Sequence, residues 1–347
     1  MRKILKGEVS TFTKEIDGRL DCLWSMFDIN SFLQEVSLQK SATKRLISWM
    51  VKLGVVKADP DAYSISLLKK YLEYTKMAEN VLGDNLNTPT KLLPVRSSDV
   101  LNLDIKRMVY SVHVYMKELM LDPQVAEDAL QTSFRVLSLL ELVEPKLPYT
   151  QGFDRYFFIF YILGRQCTAE CNLPMELAEA LAYFMMRPML QLSNFLDIIN
   201  QKDRIQSWFD ILDEKTSVLP NIHQALEQAH INGTTITMRW FLLLFANEHP
   251  IQDTLLIWDQ VLARKDPQPY VGQLYLAHLQ QIPNCGPRDI AFRIAGFRDW
   301  DVIELIHTSN TYNDVFRPDH TPMATNFFLL LSVLIIISTF LSMFVDY

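Results

Sequence analysis

The sequence is short of the residues that hold a small secreted scaffold or a nucleotide loop together. Four cysteines in 347 residues (Cys22, Cys167, Cys171 and Cys285) are too few for a disulfide framework. Cys167 and Cys171 stand at i,i+4, which places them on one helix face as small core residues rather than as a metal pair. Glycine is scarce too, at 10 residues, and none falls in a GxxxxGK, GxGxxG or GxSxG pattern. Without those loops the chain has neither a phosphate cradle of its own nor a nucleophile elbow, so it is not itself a nucleotide hydrolase or a dehydrogenase. HExxH and paired CxxC are missing as well. The 7 histidines are scattered without ligand spacing and read as surface or satisfied helical residues. Basic charge is the last shortage: 33 Lys and Arg against 40 Asp and Glu leave a net charge of −7, which offers no field for nucleic acid.

What the chain does have is apolar periodicity. Hydrophobic residues make up 49% of it, enough for a sizeable core. They recur at i, i+3, i+4, i+7 over residues 62–82, 99–120, 125–143 and 175–191, and no strand alternation competes with them. The breaks fall at residues 83–98, at Pro145 and Pro148, and at residues 247–250. These features predict an all-α body. The first 20 residues are basic at the start but lack an apolar stretch, so they do not read as a secretory signal. Residues 327–345 differ from everything before them: 19 consecutive positions carry no charge. As a helix they would span roughly 28 Å, enough to cross a bilayer. Only Asp346 and Tyr347 follow, which reads as a tail anchor with the body facing the cytosol. The short span suits the thinner membranes of the early secretory pathway.

Two stretches place chemistry-bearing side chains among the helices. In the first, Pro145 and Pro148 stop a helix, because proline lacks the donor N–H and disfavours helical geometry in the residue before it. Tyr149, Gln151 and Gly152 then lie on a turn, where glycine allows a positive φ or a close backbone approach. Gln151 is a neutral amide on that turn, able to bind a carbonyl, a phosphate oxygen or a water, or else a loop glutamine beside a packed tyrosine. In the second stretch Leu101, Asp104 and Arg107 stand at i, i+3, i+6. An exposed Asp104–Arg107 ion pair, worth about a few tenths of a kcal/mol, is its plainest account.

Together and in this order, the two stretches resemble the signature motifs IxxDxxR and YxQG of the TBC-domain family of Rab GTPase-activating proteins. Leu101, Asp104 and Arg107 supply the first, and Tyr149, Gln151 and Gly152 the second. Residues 44–56, with Trp49, are similar to the family's opening helix. Residues 219–263 resemble its C-terminal lobe, with a tryptophan-led helix from Trp240 ending in Phe245, then Ile257, Trp258 and Asp259.

The resemblance implies a two-lobed helical TBC domain over residues 40–308, after an N-terminal helical extension (1–39) and before a linker (309–326) and the transmembrane segment (327–345). It implies a GTP-bound Rab-family GTPase as partner, Arg107 as an arginine finger and Gln151 as a glutamine that orients the attacking water. Asp104 and Tyr149 would hold the two fingers. No cofactor of the chain's own is implied, since GTP and Mg2+ belong to the GTPase. The tail anchor resembles the branch of the family resident in the endoplasmic reticulum, so that membrane or the Golgi is expected. Many members continue YxQG with Met-Asn-Asp and follow the arginine with Thr, whereas this chain has Phe153, Asp154, Arg155 and Met108. Arg155 reverses a charge beside the expected catalytic face. Two readings follow: an active Rab GAP, or a Rab-binding scaffold or tether of weak catalytic power.

Overall fold

In the computed structural model, residues 27–59, 63–83, 98–119, 122–195, 198 and 202–316 are described. α1 (Ile29–Gln34) opens on Asp28, whose carboxylate accepts the Asn30 N–H at 2.9 Å. α2 (Ala42–Lys52) follows a second cap, Ser41. α3 (Tyr63–Leu82), α4 (Ser98–Glu118), α5 (Pro123–Val143) and α7 (Glu176–Leu192) occupy the four periodic stretches and differ from them only at their ends. α5 begins where Asp122 caps and Pro123 fits the first turn. Between α5 and α7 lies α6 (Phe153–Glu170), buried along almost its whole length and packed against α2, α4, α5 and α7.

The second half contains α8 (Lys202–Lys215), α9 (Pro220–Ala229), α10 (Gly233–Ile236), α11 (Met238–Leu242), α12 (Ile251–Ala263), α13 (Pro267–Gln281), α14 (Ile290–Gly296) and α15 (Val302–Thr311). No strand occurs among the described residues. The joint between the halves is α12, which packs on α1, α2 and α4 as well as on α13 and α15.

Two neighbouring side chains of α12 make that joint polar and specific. Asp259 is fully buried and accepts Trp49 Nε1 at 2.8 Å, Arg45 Nε at 3.0 Å and Lys40 Nζ at 3.1 Å. Burial pushes its carboxyl above the ordinary range, against the pull of Arg45 and Lys40. Losing one partner from such a set leaves an uncompensated buried charge, which is why buried ion pairs fix geometry more than they add stability. Trp258 stacks on Tyr156 at 5.4 Å and donates its Nε1 hydrogen to the Leu244 carbonyl at 2.9 Å.

The tryptophan-led helix ends earlier than the sequence suggested. α11 stops at Leu242, and Leu244 and Phe245 turn the chain with φ of 45° and 64°. The reason is competition for carbonyls: the Tyr156 hydroxyl takes that of Leu242 at 2.7 Å, and Trp258 takes that of Leu244. The packed body also continues past residue 308, where the sequence placed a linker. α15 runs to Thr311, and buried Ser309 donates to the Tyr270 hydroxyl at 3.1 Å. No described helix is long and apolar enough to cross a membrane, and residues 327–345 lie outside the described residues.

Two of the histidines that look scattered in the sequence meet in the core. His278 donates Nδ1–H to the Leu274 carbonyl at 2.7 Å, so its Nε2 accepts from His249 Nε2–H at 2.8 Å. The two Nε2 atoms share one proton, so the rings cannot both be charged. Burial drives His249 down to about 3, and burial together with His249 holds His278 well below the ordinary histidine range. Because the folded pKa values are depressed, the unfolded chain takes up protons that the folded one refuses, and stability falls with pH from the ordinary value near 6.5 toward the folded value. For His249 alone the loss reaches about 2 kcal/mol by about pH 5. Urea midpoints at neutral pH and about pH 5 should show this drop, and His249→Gln should flatten it; equal slopes would remove the pair as its cause.

Candidate functional site

The turn from Tyr149 to Gly152 is shaped by contacts on both sides of it. Tyr149 is buried, its N–H donates to Glu141 Oε2 at 3.0 Å, and its ring meets Phe153 edge-on at 5.9 Å. Gln151 is exposed at the crest. Gly152 has φ 108° and is buried beneath Leu243: a Cβ there would stand 2.9 Å from Leu243 Cδ2 and 3.4 Å from Phe195 Cε2. Glycine is required at this position for both reasons, the left-handed backbone and the close approach. The turn after α11 thus presses on the turn before α6.

The Tyr149 hydroxyl joins this turn to α4. It lies 3.0 Å from Asp104 Oδ2 and 3.2 Å from Asp154 Oδ1, one O–H facing two carboxylates. Asp154 also accepts the Gly152 N–H at 3.1 Å, closing a ring through the first turn of α6. Burial, and then the Asp104 charge, push the Asp154 carboxyl above its ordinary value, opposed by Arg155, the Gly152 N–H and the Tyr149 hydroxyl. The other oxygen of Asp104 meets Arg107 Nη1 at 3.4 Å, with the Arg107 side chain 67% exposed. A long pair at such exposure contributes little stability and leaves the guanidinium free to move to an incoming anion. Tyr149 and Asp104 therefore hold an exposed amide and an exposed guanidinium from one hydrogen-bonded node. Nothing else in the node is presented to solvent, and it contains no metal-binding set among the described residues.

The sequence profile of the Rab-GTPase-TBC domain matches residues 43–283, which contain the whole node. The chain belongs to the Rab-GTPase-TBC domain family. Solved TBC structures share its fold. The Ypt/Rab-GAP domain of Gyp1p superposes with a TM-score of 0.60 at 14% identity, covering 90% of this chain and 100% of that one. The Chlamydomonas flagellar RabGAP TBC domain does so with a TM-score of 0.54 at 13% identity, covering 91% and 97%. Over 135 residues the chain is 24% identical to TBC domain-containing protein C1952.17c of Schizosaccharomyces pombe, which covers 37% of this chain. The match spans 21% of that protein.

Within this TBC domain the residues expected from the motifs come together: Asp104, Arg107, Tyr149, Gln151 and Gly152 are linked through the Tyr149 hydroxyl and the turn that follows it. Two members of the node are not apparent from the sequence. Asp154 looks like a departure from the motif's usual continuation, yet it anchors Tyr149 and Gly152. Glu141 sits at the end of α5 and reaches the Tyr149 N–H. Arg155 requires a correction. It does not project a reversed charge into the site: its guanidinium donates to the Tyr115 hydroxyl and, at 2.9 Å, to Asn247 Oδ1. It ties α6 to α4 and to the segment before α12.

Removing the Tyr149 hydroxyl tests the node. Tyr149→Phe leaves two buried carboxylates without their shared donor, a loss of about 1–3 kcal/mol. Asp104 and the turn are then free to drift, and a displacement of about 1 Å in Arg107 or Gln151 would cost up to about 10²-fold in rate if these side chains act on a bound GTPase. We expect stimulated GTP hydrolysis to fall by about 10-fold, with GTPase binding nearly unchanged. A variant of wild-type rate would show that the node does not position Arg107 and Gln151 for such a role.

Proposed function

We propose that the chain accelerates GTP hydrolysis by a Rab-family GTPase, supplying Arg107 and Gln151 in trans. The observation that carries this reading is the Tyr149 hydroxyl set between Asp104 and the Gly152 turn, because it joins the helix that bears an exposed guanidinium to the turn that bears an exposed amide. In phosphoryl transfer, charge spreads over the phosphoryl oxygens and a water must be held in line. A planar guanidinium supplies donors to the first, and an arginine given in trans is worth about 10³–10⁵ in rate, or about 4–7 kcal/mol. A neutral amide both donates to and accepts from a water, which suits the second role. The chain itself hydrolyses nothing; the nucleotide and its Mg2+ belong to the GTPase. Single-turnover hydrolysis by a panel of GTP-loaded Rab proteins, with and without the full chain, tests the proposal: one or more should be accelerated, and acceleration of none would favour the scaffold reading. The bonds of buried Asp154 and half-buried Arg155 favour the active reading, since the altered flank packs against the site's own elements.

We further propose, from the uncharged segment at residues 327–345, that the protein is held on a membrane. Residues 327–345 carry no charge and would hold the TBC domain at the cytosolic face of the endoplasmic reticulum or early Golgi. Asn232, Gly233 and Thr234 form a glycosylation sequon. It should stay unmodified in a cytosolic body, and Thr234 is moreover tied to Asp213 at 2.7 Å. A chain cut at about residue 320 should leave the membrane fraction. Glycan at Asn232, or a shortened chain that stays bound in high salt, would contradict this placement.

A further inference from the structure

We propose that Asp154 is a further positioning residue and that it works as the neutral acid, donating a proton of its own to the Tyr149 hydroxyl. Its protonation stands independently of the GTPase-activating reading, whereas its effect on rate rests on that reading. Counting hydrogens leads to it. Tyr149 Oη lies 3.0 Å from Asp104 Oδ2 and 3.2 Å from Asp154 Oδ1, and a phenol carries one hydrogen for these two contacts. Tyr149, Asp104 and Asp154 are 6%, 4% and 6% exposed, so solvent does little to mend a missing bond. Were both carboxyls ionised, one contact would bring two acceptors together, or a single O–H would be split between two like charges. Both arrangements are costly away from water. One added proton turns both contacts into hydrogen bonds.

The surroundings assign that proton to Asp154. Asp104 Oδ1 meets the Arg107 guanidinium at 3.4 Å, whereas no cation bonds Asp154 among the described residues: Arg155, next in the chain, donates to the Tyr115 hydroxyl and to Asn247. A protonated Oδ1 gives its hydrogen to Tyr149 and still accepts the Gly152 N–H at 3.1 Å through a lone pair. Burial, then the Asp104 charge, raise the Asp154 carboxyl from its ordinary range, and Arg155 opposes them through space. The other titratable groups around the ring are Glu141 of α5, bonded to the Tyr149 N–H, and Tyr115 of α4, bonded to Arg155. On the remaining neighbours of α6, Arg45 of α2 is paired with Asp259 and Glu179 of α7 with Arg135. Hydrogens then run one way round the ring, from Gly152 to Asp154 to Tyr149 to Asp104, and tie the Gln151 turn to the helix of Arg107. Loss of the proton sets a second charge against Asp104 and pushes the turn from α4.

The test uses the full chain in a detergent free of carbonyl groups. A protonated carboxyl has a C=O stretch in the infrared that an ionised one lacks. At about pH 6, roughly two units above an ordinary aspartate, the spectrum of the unsubstituted chain minus that of Asp154→Asn should show this band. The band should bleach as pH rises. Urea midpoints give the linked sign: with the folded value raised, stability is lost as pH climbs from the ordinary aspartate range through the folded value, and Asp154→Asn should remove that fall. With a responsive Rab, the ratio of stimulated to unstimulated rate should drop by about 10-fold over the same pH rise and stay level for Asp154→Asn. Asp154→Ala should be about 10-fold slower at every pH, and Asn should recover most of that loss, because its amide donates to Tyr149 and accepts from Gly152 as the acid does. No band at about pH 6 overturns the proposal whatever any Rab does. A band together with unsubstituted rates for Asp154→Ala overturns the positioning role. If Asp154→Ala does not fold, a pH profile of Asp154→Asn that drops like the unsubstituted one overturns it instead. A band with no Rab accelerated by any form upholds the proton and sinks the GTPase-activating reading alone.

Discussion

Replacing Arg107 with alanine is expected to lower Rab GTP hydrolysis stimulated by this protein by about 10³-fold or more. The loss should appear in kcat, because the guanidinium meets charge that develops only in the transition state. Stability should hardly move. Arg107 is two-thirds exposed, and its only hydrogen bond or ion pair among the described residues is the 3.4 Å pair with Asp104, worth about a few tenths of a kcal/mol. Arg107→Lys should rescue poorly, since an ammonium is a point charge without the planar set of donors. Single-turnover rates at saturating protein, with the thermal midpoint as control, check this. An Arg107→Ala variant of full activity would remove the finger and leave the Asp104–Arg107 pair as an ordinary surface contact.

Gln151→Ala should cost about 10²-fold or more, the usual size of a lost positioning or proton-transfer group. Its exposed side chain makes no hydrogen bond among the described residues, so this loss too should come without unfolding. The double variant with Arg107→Ala should be scarcely slower than the slower single one, because groups acting on one transition state are strongly non-additive. Fully multiplicative losses would mean that the two residues act in separate steps.

Most of the fold and the exposed half of the site can be read in the sequence, and the reasons are local. α3, α4, α5 and α7 follow from 3.6-residue periodicity, and the turn at Tyr149–Gly152 follows from two prolines and a glycine. What is not legible depends on partners far away along the chain. Arg155 looks like a misplaced charge until Tyr115 and Asn247 are beside it, 40 and 92 residues distant. Asp154 looks like a motif departure because its role lies in the Tyr149 hydroxyl folding back onto it. α11 ends at Leu242, where the Tyr156 hydroxyl from α6 takes the last carbonyl and Trp258 of α12 takes that of Leu244 just beyond, a competition no local propensity records. His249 and His278 stand 29 residues apart in no recognisable spacing, and only the packing of α13 makes them a pair. Asp259 falls in the Ile-Trp-Asp stretch that resembles the family's, but its three partners Lys40, Arg45 and Trp49 emerge only in three dimensions.

The central claim is that this protein brings its own water-orienting glutamine to the GTPase. The most direct measurement is single-turnover hydrolysis by a responsive Rab whose own catalytic glutamine has been replaced with alanine. Stimulation of that Rab should persist with the unsubstituted chain and disappear with Gln151→Ala, because the amide held by the Tyr149–Asp154 turn stands in for the missing one. If the protein accelerates the unmodified Rab but leaves the glutamine-deficient one at its basal rate, Gln151 does not orient the water and the two-finger account is wrong.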